Sequence, residues 1–294
     1  MSKKRLENID QLIRKNIHLL PNRASNMTAI EMCSTSYCIP PFKNFEGEIR
    51  EAAQYKLSAC VVQKSMSTLM TSIFCYLSNE TRFINNNRDI LRDWKIIRLC
   101  ERKNEFRSLN GLFKRHQLAN NSGWTHIMLT RHPIERFVSG FVDKCYRKPV
   151  KKEFCNGCQM NLTCFLQTEF QRMRSEAESR KFQKSFEDRH FFPQSWRCDL
   201  FRFFKNFTFI PYTSNTSKPI TDELFKIFRK HEVPESSLRY IENALSTGRT
   251  AHSTVDSKAT KFIQKRLLQS PYLMELLVRM FYHDFVAFNY TLPF

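Results

Sequence analysis

Residues 57–77 constrain this chain most, because they join a short apolar run, a polar turn and a longer apolar run. The first run has the composition of a buried strand and the second, residues 69–77, that of an apolar helix. The turn between them offers Lys64 and three hydroxyl side chains, on Ser65, Ser67 and Thr68. This order is typical of phosphate-binding segments, since a helix N-terminus presents unpaired N–H groups and a positive dipole end.

Two interpretations of this segment are open. It lacks the glycines of a GxxxxGK(S/T) loop, which excludes a nucleotide triphosphatase loop. It is either an anion-binding cradle of another kind or a buried strand followed by a helix with an ordinary Ser or Thr cap.

A second strand-turn-helix segment begins at residue 125. Residues 125–130 predict a strand, and Pro133 suits the first turn of a helix. Apolar residues recur in that helix at the spacing of one buried face: Ile134, Phe137, Val138, Phe141 and Val142. Ligands of open α/β sheets bind beyond the C-terminal ends of the strands. If the two strands are parallel neighbours, Lys64 and Arg131 lie at the same edge of the sheet.

The charge of the chain points to a polyanionic partner. Its 47 basic and 28 acidic residues leave a net charge of +19 in 294 residues. A field of that sign attracts nucleic acid, anionic membrane, or a sulfated or carboxylated glycan. An apolar content of 41% with 27 Phe excludes a mainly disordered chain.

Cysteines and glycosylation sequons favour the secretory lumen. The chain has ten Cys and seven N-x-S/T sites, the latter at Asn26, Asn79, Asn120, Asn161, Asn206, Asn215 and Asn289. Neither a signal peptide nor an apolar span of about 20 residues is evident. The alternatives are a membrane anchor missing from this sequence or a cytosolic protein with idle sequons, and we favour the first.

The predicted organisation is a loosely attached basic segment, residues 1–30, followed by a single domain over residues 31–294. A third strand is expected at residues 206–212. Predicted helices cover residues 88–100, 105–119, 167–180, 221–231, 235–246 and 257–282. Strands alternating with helices predict an α/β fold with a small parallel sheet.

Four segments resemble one family. Residues 60–68, Cys60-x-x-x-Lys64-x-x-Ser67-Thr68, resemble the 5'-phosphosulfate-binding segment of Golgi carbohydrate sulfotransferases, closest to the HNK-1 and chondroitin 4-O-sulfotransferase group in its nematode-like form. Residues 131–144, with Arg131, Pro133, Arg136, Val138, Ser139, Phe141, Asp143 and Lys144, resemble the 3'-phosphate-binding segment of that family and are the most specific match.

The other two segments are His190-x-x-Pro193 and a C-terminal block, residues 282–290. The resemblance departs from the family pattern at Gln63, where proline is usual, and at Phe191, where tryptophan is usual. The cysteine that usually pairs after Cys198 is absent. These departures bear on acceptor specificity more than on donor binding.

The resemblance implies a three-layer sulfotransferase fold, similar to P-loop nucleotide kinases, and the donor 3'-phosphoadenylyl sulfate (PAPS). By this resemblance Lys64 contacts the bridging oxygen and the 5'-phosphate, and the hydroxyls of Ser65, Ser67 and Thr68 hold phosphate and sulfate oxygens. Arg131 and Ser139 bind the 3'-phosphate. Arg136 is either another ligand of the donor or a structural partner of Glu135 or Asp143.

A general base is needed, because a sugar hydroxyl is a poor nucleophile. Histidine suits this role near neutral pH, and His190 is our candidate. Glu187 and Asp188 are alternatives, whereas the neighbours of His132 favour packing. His252 is a candidate for the adenosine end of the donor site.

The cysteines allow a zinc site or disulfides. Cys145, Cys155, Cys158 and Cys164 have spacings compatible with zinc, but a lumenal location favours disulfides, and we expect no metal. Cys198 is a candidate member of this group, with its connectivity left open, and we expect Cys60 to be a free core thiol.

The resulting hypothesis is a PAPS-dependent O-sulfotransferase for N-acetylgalactosamine O-4 of chondroitin, associated with the Golgi membrane. The candidate track for the polyanionic glycan is basic: Arg147, Lys148, Lys151, Lys152, Arg172, Arg174, Arg180, Lys181 and Lys184. Alternatives are a sulfotransferase for a glucuronate or heparan-type glycan and an inactive polyanion-binding member of the family. No nucleic-acid-binding module is evident, so no nucleic-acid partner is expected.

Overall fold

A computed structural model describes residues 27–294 apart from 46, 94–97, 119–122, 148–154, 180–184, 214–217, 248–253 and 255–256. Most of the predicted basic N-terminal segment, residues 1–26, therefore lies outside the described residues. The chain divides into two compact units. The sheet unit comprises Pro41–His132 and Pro193–Val255, and the helical unit comprises Met1–Pro40, Pro133–Phe192 and Asp256–Phe294.

The strands form one five-stranded sheet. They are β1 (Ile49–Ala52), β2 (Leu57–Cys60), β3 (Glu105–Phe106), β4 (Thr125–Arg131) and β5 (Phe207–Tyr212). The order across the sheet is β3-β1-β2-β4-β5. The pairs β2–β4 and β4–β5 are parallel, whereas β1 pairs antiparallel with both β2 and β3. The three predicted strands are parallel neighbours, so the predicted α/β class is confirmed; the antiparallel edge was not predicted.

The helices in chain order are α1 (Ala29–Thr35), α2 (Ser67–Ser78), α3 (Glu80–Asn85), α4 (Leu109–His116), α5 (Pro133–Phe141), α6 (Leu162–Ala177), α7 (Asp188–Phe191), α8 (Leu200–Phe203), α9 (Lys218–Lys230), α10 (Glu235–Thr247), α11 (Lys258–Leu268) and α12 (Pro271–Ala287). A π-helical turn, Val142–Tyr146, follows α5 directly.

Three helix predictions were wrong in part. The described residues within 88–100 form turns and no helix. Residues 105–119 divide into β3 and α4, and residues 257–282 divide into α11 and α12. The second division has a local cause: the Ser270 hydroxyl accepts from the backbone N–H of Leu273, and Pro271 occupies the first turn of α12.

The two faces of the sheet are covered differently within the sheet unit. On one face, buried strand residues pack with apolar side chains of α2, α9 and α10: Leu57, Ala59, Ile127, Leu129, Ile210, Ile73, Phe74, Leu224, Phe228 and Ile241. On the other face, the Ser58 hydroxyl meets Nδ1 of His126 at 2.6 Å. Phe113 of α4 packs against His126 and against Phe203 of α8. The sheet therefore has helices on both faces.

An aromatic cluster packs the helical unit. The rings of Phe137, Phe141, Phe165 and Phe191 contact one another across α5, α6 and α7. Gly140 lies against this cluster, and a Cβ at that position would come within 2.8 Å of the Phe191 ring. The absence of a side chain at Gly140 therefore permits α5 and α7 to pack closely.

All ten cysteines form disulfides. The pairs are Cys33–Cys38, Cys60–Cys198, Cys75–Cys100, Cys145–Cys155 and Cys158–Cys164. The expectation of disulfides among Cys145, Cys155, Cys158 and Cys164 is confirmed. The prediction of Cys60 as a free thiol was wrong, and Cys198 does not join that group, because the fold places the end of β2 beside residue 198.

Within the described parts of the chain, no helix has the length and apolar character needed to cross a membrane.

The Cys60–Cys198 disulfide should be recovered by peptide mapping under non-reducing conditions, as one fragment containing both cysteines. Because it closes a separation of 138 residues, the C60A/C198A double variant should lose about 2–5 kcal/mol of unfolding free energy. The C33A/C38A variant, whose pair is five residues apart, should lose less. Alkylation of Cys60 in the native, unreduced protein would contradict the assignment.

Candidate anion-binding site

The turn between β2 and α2 contains left-handed residues and leads directly into a helix N-terminus. Lys64 and Met66 have positive φ angles of 71° and 57°, whereas Ser65 between them does not. The N–H of Ser65 donates to the carbonyl oxygen of Val62 at 3.1 Å and closes the turn. Met66 is the N-cap of α2, and no side chain caps this end of the helix. The first amides of α2 and its positive dipole end therefore face the same region as the turn.

The hydroxyl and amine side chains of the turn differ in exposure. Ser65 is buried, whereas Lys64, Ser67 and Thr68 are partly exposed. Ser67 and Thr68 occupy the first two positions of α2. The predicted cradle residues therefore lie on one turn and the first residues of one helix, as the spacing indicated.

Arg131 joins the end of β4 to this turn. Its side chain is buried, and Nη1 donates to the carbonyl oxygen of Lys64 at 2.9 Å. The guanidinium also lies over the ring of Tyr212, 5.1 Å from the centroid, and Tyr212 is the register partner of Arg131 on β5. The prediction that parallel strands bring residues 64 and 131 to one edge of the sheet is confirmed.

Gln194 holds both segments and was missed by the sequence analysis. Its fully buried side chain accepts from the backbone N–H of Arg131 at 2.9 Å and donates to the carbonyl oxygen of Arg131 at 2.8 Å. The same Oε1 accepts from the hydroxyl of Ser65 at 3.3 Å. The carboxamide therefore pairs with both backbone polar groups of the last residue of β4, and no sequence periodicity marks such a role.

Gln63 is held at the preceding position. Its Nε2 donates to Oε1 of Glu48 at 2.7 Å, and Oε2 of Glu48 pairs with Arg50 at 3.0 Å. The Cys60–Cys198 disulfide lies beside this chain of contacts, since the Sγ of Cys198 is 3.8 Å from the Glu48 carbonyl oxygen. Gln63, which departs from the family pattern, therefore attaches the turn to Glu48, the residue directly before β1.

The remaining predicted residues belong to the helical unit. Arg136 and Ser139 lie buried on α5. Nη1 of Arg136 donates to the carbonyl oxygens of Phe191 and Phe192, at 3.4 and 3.0 Å. Arg136 thus anchors the C-terminal end of α7.

His190 has a defined tautomer when neutral. Nδ1 lies 2.9 Å from the carbonyl oxygen of Phe186, which can only accept. Nδ1 therefore carries the proton, and the lone pair of the neutral ring is on Nε2. This arrangement is the one that a general base acting through Nε2 requires.

The alternative bases, Glu187 and Asp188, are held by other partners. Asp188 is fully buried and makes a two-point contact with Arg172, at 2.8 and 2.6 Å. It also accepts from the backbone N–H of Ser185 at 2.7 Å. Glu187 accepts from the backbone N–H of Cys155 at 3.0 Å. Both carboxylates attach α7 to its surroundings.

A third acid, Glu169, completes this buried group. Its Oε2 accepts from Nδ2 of Asn156 at 2.6 Å. Burial and, secondly, the charge of Asp188 raise the pKa of Glu169 to about 8. Its carboxyl is therefore mainly protonated at neutral pH, which reduces repulsion among the three acids.

The other residues considered for the site either make structural contacts or lie outside the described part of the chain. His126, which was not a candidate, lies on β4; burial lowers its pKa to about 4, so its ring is neutral. Arg174 pairs with Glu178 at 2.7 Å, and Arg172 pairs with Asp188. Outside the described residues lie His252, Lys148, Lys151, Lys152, Arg180, Lys181 and Lys184.

The sequence of this chain is similar to those of known proteins. Residues 48–291 match the family model described as "Sulfotransferase family". The chain is 34% identical over 291 residues to "Carbohydrate sulfotransferase chst-1" of Caenorhabditis elegans, covering 97% of this chain and 87% of that protein. It is 37% identical over 266 residues to "Putative sulfotransferase vep-2" of the same organism, with 89% and 83% covered. An uncharacterized protein of that organism is 45% identical over 289 residues, with 97% and 81% covered. No solved structure matches.

Replacement of Gln194 by alanine should destabilise the protein, because it leaves the N–H and carbonyl of Arg131 and the Ser65 hydroxyl without this partner. The expected loss is about 2–4 kcal/mol of unfolding free energy, measured by denaturant titration. Gln167→Ala is a matched control, since its contact to the Tyr272 hydroxyl is exposed, and it should change stability by less than about 0.5 kcal/mol. Equal stability of the two variants would contradict the role of Gln194.

Proposed function

This chain belongs to the sulfotransferase family, and from that premise we propose that it transfers a sulfuryl group from PAPS to a hydroxyl group of a glycan. The family implies PAPS as the sulfate donor. The observation that carries the proposal is the turn around Lys64: two left-handed residues, a helix end without a side-chain cap, and an arginine bound to the turn. Such a site fits the negative charge of a phosphosulfate group.

The sheet unit supplies the proposed ligands of the phosphosulfate. When PAPS is bound, it supplies the sulfuryl group and leaves as adenosine 3',5'-bisphosphate (PAP). Lys64 would neutralise charge that develops on the leaving phosphate oxygen, where a positioned cation accelerates transfer. The hydroxyls of Ser65, Ser67 and Thr68 and the first amides of α2 would bind the phosphate and sulfate oxygens.

Arg131 is the proposed ligand of the 3'-phosphate, together with Ser139. Its backbone N–H and carbonyl are both paired with the Gln194 side chain. Its planar guanidinium suits a two-point contact with phosphate. Arg136 retains both interpretations, although its bonds to two carbonyl oxygens favour the structural one.

His190 is the proposed general base. The support is its tautomer, with the proton on Nδ1 held by a backbone carbonyl oxygen. Glu187 and Asp188 are weaker candidates, since both already accept hydrogen bonds, from the Cys155 N–H and from Arg172 respectively. His190 would accept the proton of the sugar hydroxyl as the oxygen attacks sulfur.

The proposed acceptor is a carbohydrate, most specifically N-acetylgalactosamine O-4 in chondroitin. The printed name of the chst-1 relative supports a carbohydrate acceptor, and the net charge of +19 suits an anionic chain. The chondroitin position rests on the resemblance of residues 131–144 to the HNK-1 and chondroitin 4-O-sulfotransferase group. A glucuronate or heparan-type acceptor is the alternative.

The proposed location is the Golgi lumen, in association with the membrane. Five disulfides support an oxidising compartment. Of the sequon asparagines, Asn79 and Asn289 are exposed, which supports a glycosylated protein.

Saturating PAP should raise the melting temperature of the purified protein, whereas adenosine 5'-monophosphate should not match it. At a hundredfold excess over Kd, a single-site ligand stabilises by about 2.7 kcal/mol. The shift should be largely lost in Arg131→Ala. A well-folded wild type that shows no shift would contradict the proposed donor site.

The Lys64→Ala variant distinguishes an active sulfotransferase from an inactive polyanion-binding protein. The substitution leaves the Lys64 carbonyl, and so the contact of Arg131, in place. It should lower kcat by at least about 100-fold, with retention on a heparin column almost unchanged. Lys205→Ala, an exposed lysine of the same unit, is the matched control and should retain full activity. Equal activity of the two variants would contradict the proposed role of Lys64.

His190→Ala should lower kcat by about 10²–10⁴-fold while leaving the PAP-induced shift intact, because the base acts on the acceptor and not on the donor. The comparison variant is Glu187→Gln. The assignment of the base fails if Glu187→Gln loses activity to that extent and His190→Ala does not.

A further inference from the structure

Phe186 is an exposed aromatic ring beside the proposed base. Its side chain is 51% exposed, whereas the next residues in the chain, Glu187 and Asp188, are buried. The other large exposed apolar residues described are scattered over the surface: Ile30, Ile84, Phe201, Leu268 and Val286. Single exposed apolar residues are ordinary in proteins; Phe186 differs because of the groups that surround it.

Two neighbours set the orientation of the Phe186 ring. The imidazole of His190 lies 4.5 Å from it, centroid to centroid, and the Phe186 carbonyl accepts from Nδ1 of that imidazole. The ammonium of Lys144 lies over the ring, 5.2 Å from the centroid, and is held at 2.9 Å by Asp143. A large part of the ring nevertheless remains open to solvent.

Lys144 reaches the ring from a π-helical turn. Residues Val142–Tyr146 leave the regular α-helical course of α5. Single π turns within helices are uncommon and are frequent at functional sites, because they redirect side chains. Here the turn carries both Asp143 and Lys144.

A pyranose ring matches this surface. It has a face of C–H groups, which packs on the negative face of an aromatic ring, and a rim of hydroxyl groups. A sugar stacked on Phe186 would present a rim hydroxyl toward the neighbouring imidazole. Lys144 lies over the ring as an ion pair with Asp143. Arg189, three residues along the chain from Phe186, is exposed, and its positive charge suits an anionic acceptor.

We propose that Phe186 is the stacking platform for the acceptor sugar and positions its hydroxyl for His190. The inference deepens the proposed function and rests on it. Phe186 is a binding residue for the acceptor only, so its loss should affect acceptor recognition without altering donor binding.

The test compares Phe186→Ala with Phe201→Ala. Phe201 is a matched control: it is 40% exposed and also has a cation, Arg202, over its ring at 5.2 Å, but it lies in the sheet unit. Initial rates are measured at saturating PAPS against unsulfated chondroitin and unsulfated heparosan hexasaccharides. Phe186→Ala should raise the acceptor KM about tenfold, with kcat within about twofold and the PAP-induced shift unchanged. Phe186→Trp should restore the wild-type KM, and Phe201→Ala should equal the wild type.

The outcomes separate this inference from the proposed function. Absence of a PAP-induced shift in the wild type contradicts the proposed function itself. With that shift present, an unchanged KM in Phe186→Ala overturns the platform, as does failure of both oligosaccharides to bind the wild type. A fall in kcat with loss of the PAP-induced shift also overturns it, since that result indicates a structural role.

Discussion

The two hydrogen bonds from the Gln194 side chain to the backbone of Arg131 are the interaction on which the proposed donor site depends. They occur in a fully buried place, where an unpaired N–H or carbonyl would cost about 1–3 kcal/mol. Because the amide is satisfied there, β4 can end at Arg131 and the guanidinium can turn to the carbonyl oxygen of Lys64. That contact supports a turn with two left-handed non-glycine residues, a conformation that needs its surroundings to hold it. The geometry of the proposed donor site is therefore maintained by hydrogen bonds that link Gln194, Arg131 and the carbonyl oxygen of Lys64.

The helical unit uses charge for a comparable purpose. Asp188 and Glu187 attach a single-turn helix, α7, to α6 and to the Cys155 loop, and Arg136 attaches its C-terminal end. A helix of one turn has no stability of its own, so these buried contacts determine the position of His190. Protonation of Glu169 lets the acids share this space, since its raised pKa keeps it mainly neutral at neutral pH. The carboxylates of Glu187 and Asp188 thus fix the place of His190 by holding its helix. The tautomer of the ring is set by the backbone carbonyl of Phe186.

Local sequence patterns predicted the central strands and helices. They failed for elements and disulfides whose formation depends on long-range contacts. The strands β2, β4 and β5 and the helices after β2 and β4 were predicted because each has a distinct apolar run or period. The edge strand β3 has two residues, too few for a period to appear. β1 carries Arg50 and Glu51 at its centre, so no apolar run marks it. The predicted helix at residues 88–100 is replaced by turns in its described part, although its composition favours a helix. Cys60 was expected to be free because it lies in a strand, and its partner is 138 residues away.

The sequence alone determined the α/β class, the two segments with Lys64 and Arg131, and the chemistry of their side chains, because these follow from local periodicity and residue type. Tertiary structure decided which groups meet. It brought Gln194 to the end of β4, paired Cys60 with Cys198, directed Arg136 to two carbonyl oxygens, and set the tautomer of His190. Hydrogen bonds and disulfides between residues far apart in the chain depend on the path of the backbone between them, which no local pattern records. A short-range signal can therefore identify a site, while the supports of that site become visible only in the folded chain.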